Sequence, residues 1–242
     1  MPFDPTSLGS LSLWLDPSLA SSVTSTGGLV SQINDLSGNA KHPTASGAAR
    51  PTLRTFNGRQ ALNFDGSATY MTSAGTINWT PPITVYMVLQ SDNVTPEGHA
   101  LGNDELHASP LVAVSTAQWL VYNGISKSYG TADTGFHVIS STYLGSASSA
   151  LRVDGVTVGT GDNGNAGNSV IVYLGADLTS TPSVAFFWDG AIGEVLVYSA
   201  SHSAANIVSV ENYLLTKWKH SGFEGVGIGG SGLGVSDPGW VH

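Results

Sequence analysis

The stretch Phe187 to Gly222, FWDGAIGEVLVYSASHSAANIVSVENYLLTKWKHSG, joins a strand pattern to the one clear helical pattern in the chain. Ile192 to Tyr198 is β-branched and apolar enough to fill a sheet interior, and the pair Asp189-Gly190 ahead of it reads as a turn. Ile207, Val210, Leu214 and Trp218 then recur at i, i+3, i+7 and i+11, a single stripe at helical period. Ser203 is placed to cap the first turn. Lys217, Lys219 and His220 favour the negative end of the helix dipole, and Gly222 is a natural stop. The spacing predicts one helix over about 203–219, docked through its stripe on a β-body.

Working back along the chain, short strand signals alternate with turn signals. Leu11 to Leu15 alternates as a half-buried strand and ends at Asp16-Pro17; Leu29 to Ile33 follows, and Leu62-Asn63-Phe64 ends in the turn pair Asp65-Gly66. Ile83 to Leu89 is the longest strand pattern, and its near-continuous hydrophobicity predicts burial on both faces. Trp119 to Tyr122 is shorter and closes at Asn123-Gly124. Leu151 to Val158 reads as a hairpin about Asp154-Gly155, a pair suited to the positive φ angles of a type I′ turn. Val170 to Leu174 adds a further buried strand. No segment carries a βαβ pattern, so the chain reads as all-β, an antiparallel sandwich or jelly roll closed by one helix.

Composition narrows the function classes. Charged residues make up 10% of the 242, against a typical ~25%, while 41% are hydrophobic and 30 are glycine. This is the balance of an ordered, turn-rich β protein rather than of a disordered chain. Net charge is −9 with only eight lysines and arginines, unclustered, which argues against nucleic acid as a partner. Cysteine is absent, removing disulfides, thiolate metal sites and cysteine nucleophiles together. The N-terminal residues show no signal-peptide pattern, and no apolar run approaches the ~18 residues of a membrane span.

Several segments fall in one order: LSLWLDPS (Leu11 to Ser18), DLSGNAKH (Asp35 to His42), RPT (Arg50 to Thr52), NGRQALNFDGS (Asn57 to Ser67), WDGAIGEVLVY (Trp188 to Tyr198) and YLLTKWK (Tyr213 to Lys219). Together they resemble the LamG-like branch of the concanavalin A-like lectin/glucanase superfamily, over residues 11–71 and 186–219. The resemblance implies a two-sheet antiparallel jelly-roll sandwich over residues 1–221, with the N-terminal strand near Ile192 to Tyr198 and the helix outside. Such modules occur on bacterial surface proteins and in phage virion proteins, where they bind glycans or proteins or decorate a surface. The implied function is a non-enzymatic structural or adhesion module on a phage virion, in a decoration, head-fibre or tail-associated position. Its implied partners are copies of itself or other virion subunits. The rival is a carbohydrate-binding lectin module of an extracellular bacterial surface protein, with a host-surface glycan as ligand; a glycoside hydrolase is a third reading.

Glycanases of that superfamily place acids as E-x-D-x-x-E, so that carboxylates share one side of a strand. No such run exists here, and the adjacent Asp104-Glu105 would point to opposite faces of a strand. Asp104 and Glu105 are nevertheless the best placed acids for a rim Ca²⁺; Asp16, Asp35, Asp65, Asp154 and Asp189 read as turn residues. The seven histidines lack metal-ligand spacing, and no G-x-S-x-G elbow is present. G-x-G-x-x-G at Gly225 follows a helix instead of opening one, which excludes a dinucleotide loop. Sugar rings stack on aromatic faces, and Trp119, Tyr122 and Asn123, on a strand that ends in a loop, are the sequence's candidates for a glycan platform. Trp14, Trp188 and Trp218 are assigned to the core.

Beyond the helix, eight of the last 21 residues are glycine. The 222–242 segment reads as a flexible or docking tail, with Gly222 and Gly230 as its pliable points and Trp240 as an apolar tip for assembly.

Overall fold

The computed structural model describes residues 3–104, 111–145, 148–180 and 183–219. Two antiparallel sheets face each other across one core. The larger is ten-stranded; its path runs Val156–Gly161, Ser149–Val153, Phe136–Tyr143, Ile83–Ser91, Asp189–Tyr198, Arg59–Asp65, Thr52–Phe56, Leu29–Ile33 and Val23–Thr26. Leu11–Leu15 is its tenth strand. It pairs with the second half of Asp189–Tyr198, Leu11 opposite Tyr198 and Leu15 opposite Val195, continuing the edge that Arg59–Asp65 occupies along the first half. The smaller sheet has the order Ser126–Tyr129, Gln118–Tyr122, Leu111–Ser115, Gly98–Asn103, Val172–Leu174 and Met71–Thr72. Bridges Gln32 to Thr44 and Thr44 to Thr72 stitch the two sheets along one side.

The continuous hydrophobicity of Ile83–Ser91 is explained by its position. Ile83, Val85, Met87 and Leu89 enter the inter-sheet core with Leu13, Ile33, Phe64, Leu101 and Trp188, while Tyr86 and Val88 face a second core under the helix. Each face of this strand serves a different hydrophobic layer, and the polar residue within its apolar run, Thr84, is buried with Oγ1 donating to the Ala200 carbonyl at 2.8 Å. The helix is Ala204–Lys219, with the Asn206 N–H donating to Ser203 Oγ at 3.2 Å. Val210, Leu214 and Trp218 of its stripe are fully buried against Tyr86, Val138 and Leu196, and Ile207 is partly buried at the margin. Trp188 and Trp218 are core residues; Trp14 is half-buried, on the helix side.

Polar groups also fix the helix. Glu194, fully buried on the helix side of Asp189–Tyr198, accepts from Trp14 Nε1 at 2.8 Å, Tyr213 OH at 2.8 Å, Trp218 Nε1 at 3.1 Å and Lys217 Nζ at 2.6 Å. Lys217 also pairs with buried Asp16. Burial, followed by the nearby Asp16 charge, raises the Glu194 carboxyl above its ordinary value against the pull of Lys217. Farther along, Glu211 receives Arg152 through Nε at 2.7 Å and Nη2 at 2.9 Å and the Ser140 hydroxyl at 2.5 Å.

One turn expected from sequence is absent. Asp189-Gly190 begins the long strand instead of preceding it. Gly190 has φ +143°, and a Cβ there would stand 2.1 Å from the Gln90 carbonyl oxygen, so this glycine permits close approach of Ile83–Ser91. Asp154-Gly155 does form the expected hairpin turn, with φ of +50° and +82°. The tail residues Gly222, Gly230 and Trp240 lie outside the described residues.

Candidate functional site

The small sheet has one face in the core and one turned outward, and strand alternation sorts its side chains. Val121, Val112, Leu101 and Leu174 form an inward row across four paired strands. The adjoining row is outward and includes Tyr122, Gly102 and Tyr173, with Thr72 paired to Tyr173. Trp119 belongs to the inward set: it is 1% exposed and meets the His137 ring edge-on at 5.5 Å. This corrects the expectation that Trp119 forms a sugar platform. Asn123 is also fully buried, donating from Nδ2 to the Gly164 carbonyl at 3.1 Å and accepting at its own carbonyl from Ala166 N–H at 3.0 Å. It anchors the following loop and offers nothing to solvent. Tyr122 alone of the three faces outward, half-buried, three strand spacings or ~14 Å from Tyr173.

The outer face gathers aromatic residues from segments far apart in sequence. Tyr70 and Tyr173 stack at 5.7 Å with 17° between their planes, and Phe187 lies 6.3 Å from Tyr70. All three are half-buried, next to core residues Met71, Val172 and Trp188 respectively, so alternation turns them outward. Asp177 packs against Gly102, the partner of Tyr173 across the ladder, and Asp104 accepts the Ile171 N–H two residues before Tyr173; after burial and Tyr70, their charges raise the Tyr173 phenol above its ordinary value. Gly102 makes this possible. A Cβ at Gly102 would stand 2.4 Å from the Ala176 carbonyl oxygen and 2.8 Å from Asp177 Cβ, so only glycine lets that segment close against the strand beside Tyr173.

Asp177 is held rigidly. Its Oδ1 accepts the Asn103 and Leu178 N–H groups at 2.8 and 2.9 Å, and its Oδ2 lies 3.1 Å from His99 Nδ1. His99 Nε2 lies 2.9 Å from Glu97 Oε1, and the Phe186 ring covers the imidazole at 4.6 Å, 13° from parallel. Burial alone would lower the His99 imidazole, but the bonds to Asp177 and Glu97 outweigh it and hold it raised; His99 in turn holds the Glu97 carboxyl below its ordinary value. His137 is raised in the same way between Asp154 and Asp133, against its burial.

These shifts set a pH dependence. A histidine raised on folding contributes stability that is complete below the unfolded value near 6.5 and lost as pH rises through the folded value. Unfolding free energy is therefore expected to fall from pH 6 toward pH 9. His99→Gln and His137→Gln should each flatten part of that fall in urea titrations across the range. A slope unchanged in both variants would contradict the assignment.

Asp104 receives the Ile171 N–H on Oδ1 at 2.8 Å. Glu105, its expected partner for Ca²⁺, lies outside the described residues. Among those described, no group of three or more histidine and acidic side chains is disposed to hold a metal ion. No described helix is long and apolar enough to cross a membrane. Sequence reasoning missed Tyr70, Tyr173, Phe186 and Phe187. The alternation in Val172-Tyr173-Leu174 was the available signal, since it places a tyrosine between two core positions.

No family model matches the chain, and no curated protein does. Solved structures share its fold at low identity. A Trypanosoma rangeli sialidase is 15% identical with a TM-score of 0.55, over 89% of this chain and 34% of its own. A botulinum neurotoxin type C structure, described for a cell entry that depends on two ganglioside molecules, is 9% identical with a TM-score of 0.59, over 85% of this chain and 51% of its own. The binding domain of Paraclostridial Mosquitocidal Protein 1 is 9% identical with a TM-score of 0.59, over 84% and 52%. The chain spans about a third of the sialidase and about half of the toxin chains. At these identities the likeness shows the fold alone, an all-β sandwich of antiparallel sheets.

Proposed function

We propose that this chain is a non-enzymatic, LamG-like carbohydrate-binding module that takes an uncharged or amine-bearing glycan on the outer face of its small sheet. The observation that carries the reading is the Tyr70–Tyr173 stack, turned outward beside Phe187 and flanked by Asp104 and Asp177. Flat aromatic faces suit the C–H faces of sugar rings, and fixed carboxylates accept hydroxyl or ammonium hydrogens while opposing anionic substituents. Six of the eight basic side chains have partners already: Arg152, Lys217 and Lys219 in ion pairs at the helix, Arg59 on the Lys217 carbonyl, Arg50 on the Gly47 carbonyl, and Arg54 on Asp92.

Binding is favoured over hydrolysis because the acids are committed. Asp177 uses both oxygens on neighbours, and Glu97 is tied to His99, whereas a glycosidase needs one carboxyl free to give a proton and another free to attack or activate water. Toxin structures with the same fold support a glycan-binding role, but the ganglioside named for one of them carries sialic acid, the anionic sugar that the acids beside Tyr173 oppose. The virion placement implied by the resemblance draws no support from these neighbours.

The test is calorimetric titration with chitin tetramer, its de-N-acetylated counterpart and 3′-sialyllactose. One of the first two should bind, 3′-sialyllactose should not, and Tyr173→Ala should weaken binding at least about tenfold, or ~1.4 kcal/mol. Absence of binding to both tetramers, or binding indifferent to Tyr173→Ala, would defeat the proposal.

A further inference from the structure

Phe186 occupies a backbone conformation that phenylalanine rarely adopts. Its φ is +52°, in the left-handed region where a Cβ crowds the following carbonyl and where glycine or asparagine is the usual occupant. Burial does not account for this, because Phe186 is 37% exposed, one of the few large hydrophobic residues on the surface. Its neighbours along the chain are placed differently: Phe187 reaches Tyr70, and Trp188 is in the core.

The strained backbone does two things. It sets the Phe186 carbonyl to accept the His99 N–H at 2.8 Å, and it lays the ring flat on the His99 imidazole. One face of the ring thus rests on a group clamped between Glu97 and Asp177, which leaves its 37% exposure to the opposite face and the edge. Backbone strain persists where the surroundings over-determine it, and such positions cluster at ligand sites. An aromatic ring fixed from below and open above, in chain continuity with the Phe187–Tyr70–Tyr173 group, is a surface shaped for stacking.

We propose that Phe186 is a ligand-contact residue of the outer-face site, stacking on the apolar face of a sugar unit, and that its strained conformation is kept for that contact. The inference rests on the glycan-binding reading above. Two variants separate a ligand role from a structural one. Phe186→Gly removes the ring and relieves the strain; Phe186→Trp keeps a larger ring on the same backbone.

Both are compared with the parent protein by titration against whichever chitin or glucosamine tetramer the parent binds, and by urea denaturation. Phe186→Gly is expected to hold or raise the denaturation midpoint, because relief of strain offsets the lost ring contact, while affinity falls about tenfold. Phe186→Trp is expected to keep affinity within about threefold of the parent. A glycine variant that binds like the parent overturns the proposal. So does one whose affinity falls only together with its midpoint, since the ring would then be a cover for His99, and so does a tryptophan variant that fails to bind. If Tyr173→Ala loses binding and Phe186→Gly does not, the glycan-binding reading stands and the role of Phe186 falls. If the parent binds neither tetramer, both fall.

Discussion

Replacing Glu194 by alanine is expected to lower the unfolding free energy by about 4 kcal/mol, the range seen when one partner of a buried ion pair is removed. Four donors lose their acceptor together: Trp14 Nε1, Trp218 Nε1, the Tyr213 hydroxyl and the Lys217 ammonium. Lys217 retains Asp16, and half-buried Trp14 and Tyr213 lie nearer to water, which limits the loss, but the fully buried Trp218 indole is left without its acceptor. For a chain of this length the melting temperature should fall by roughly 8–16 °C. Glu194→Gln, which keeps the shape and one acceptor oxygen, should cost about half as much. Equal losses in the two variants, or a loss below about 1 kcal/mol in Glu194→Ala, would show that the node is incidental to helix docking. Glu194 is not the group that destabilises the fold in acid. Its carboxyl is raised on folding, so protonation as pH falls favours the folded state at this position.

Gly190→Ala should cost about 3 kcal/mol, from a left-handed φ and from overpacking at the centre of the large sheet. The added methyl would meet the Gln90 carbonyl oxygen at 2.1 Å and Ser91 Cα at 2.9 Å, both backbone atoms of the paired strand that cannot swing aside. Gly38→Ala is the internal control. Gly38 has φ +90° with nothing within 4 Å of an added Cβ, so only the conformational penalty remains, about 1 kcal/mol. Urea denaturation of the two variants side by side measures the difference; equal losses would mean that the contact with Gln90 relaxes without cost.

The helix and the large sheet were legible because their signals are local and periodic. The Val210, Leu214 and Trp218 stripe could be buried in only one way, and a strand as nearly continuous in apolar residues as Ile83 to Leu89 had to be covered on both faces. Asp189-Gly190 misled because Asp-Gly signals a turn only where the glycine is needed for chain reversal. Here it is needed for contact with another strand, which no local window contains. The candidate site was half legible. Trp119 and Tyr122 were drawn from a strand of the right sheet, but aromatic type says nothing about facing, and alternation puts Trp119 in the core and Tyr122 outside. Tyr70, Tyr173 and Phe187 meet only because Val172–Leu174 pairs with Met71–Thr72 and the segment after Ala185 crosses beside Gly98–Asn103. The Phe186 backbone conformation has no signature in composition or period, since it is imposed by the contacts on either side of it.

The arrangement of Leu11–Leu15 beside Asp189–Tyr198 closes an early strand on a late one, and each end of that ladder is held differently. Leu11 stands opposite Tyr198, so chain entry and strand exit lie at one end of that ladder, and a pull on those two points would peel its pairs in sequence. The helix changes the geometry. It runs back from Ser203 until Lys217 meets Asp16, just past Leu15, at the opposite end of the ladder. The ladder is thereby tied at both ends: the Ser12 and Ser199 hydroxyls meet at 2.6 Å at one, and Lys217 joins Asp16 to Glu194 at the other.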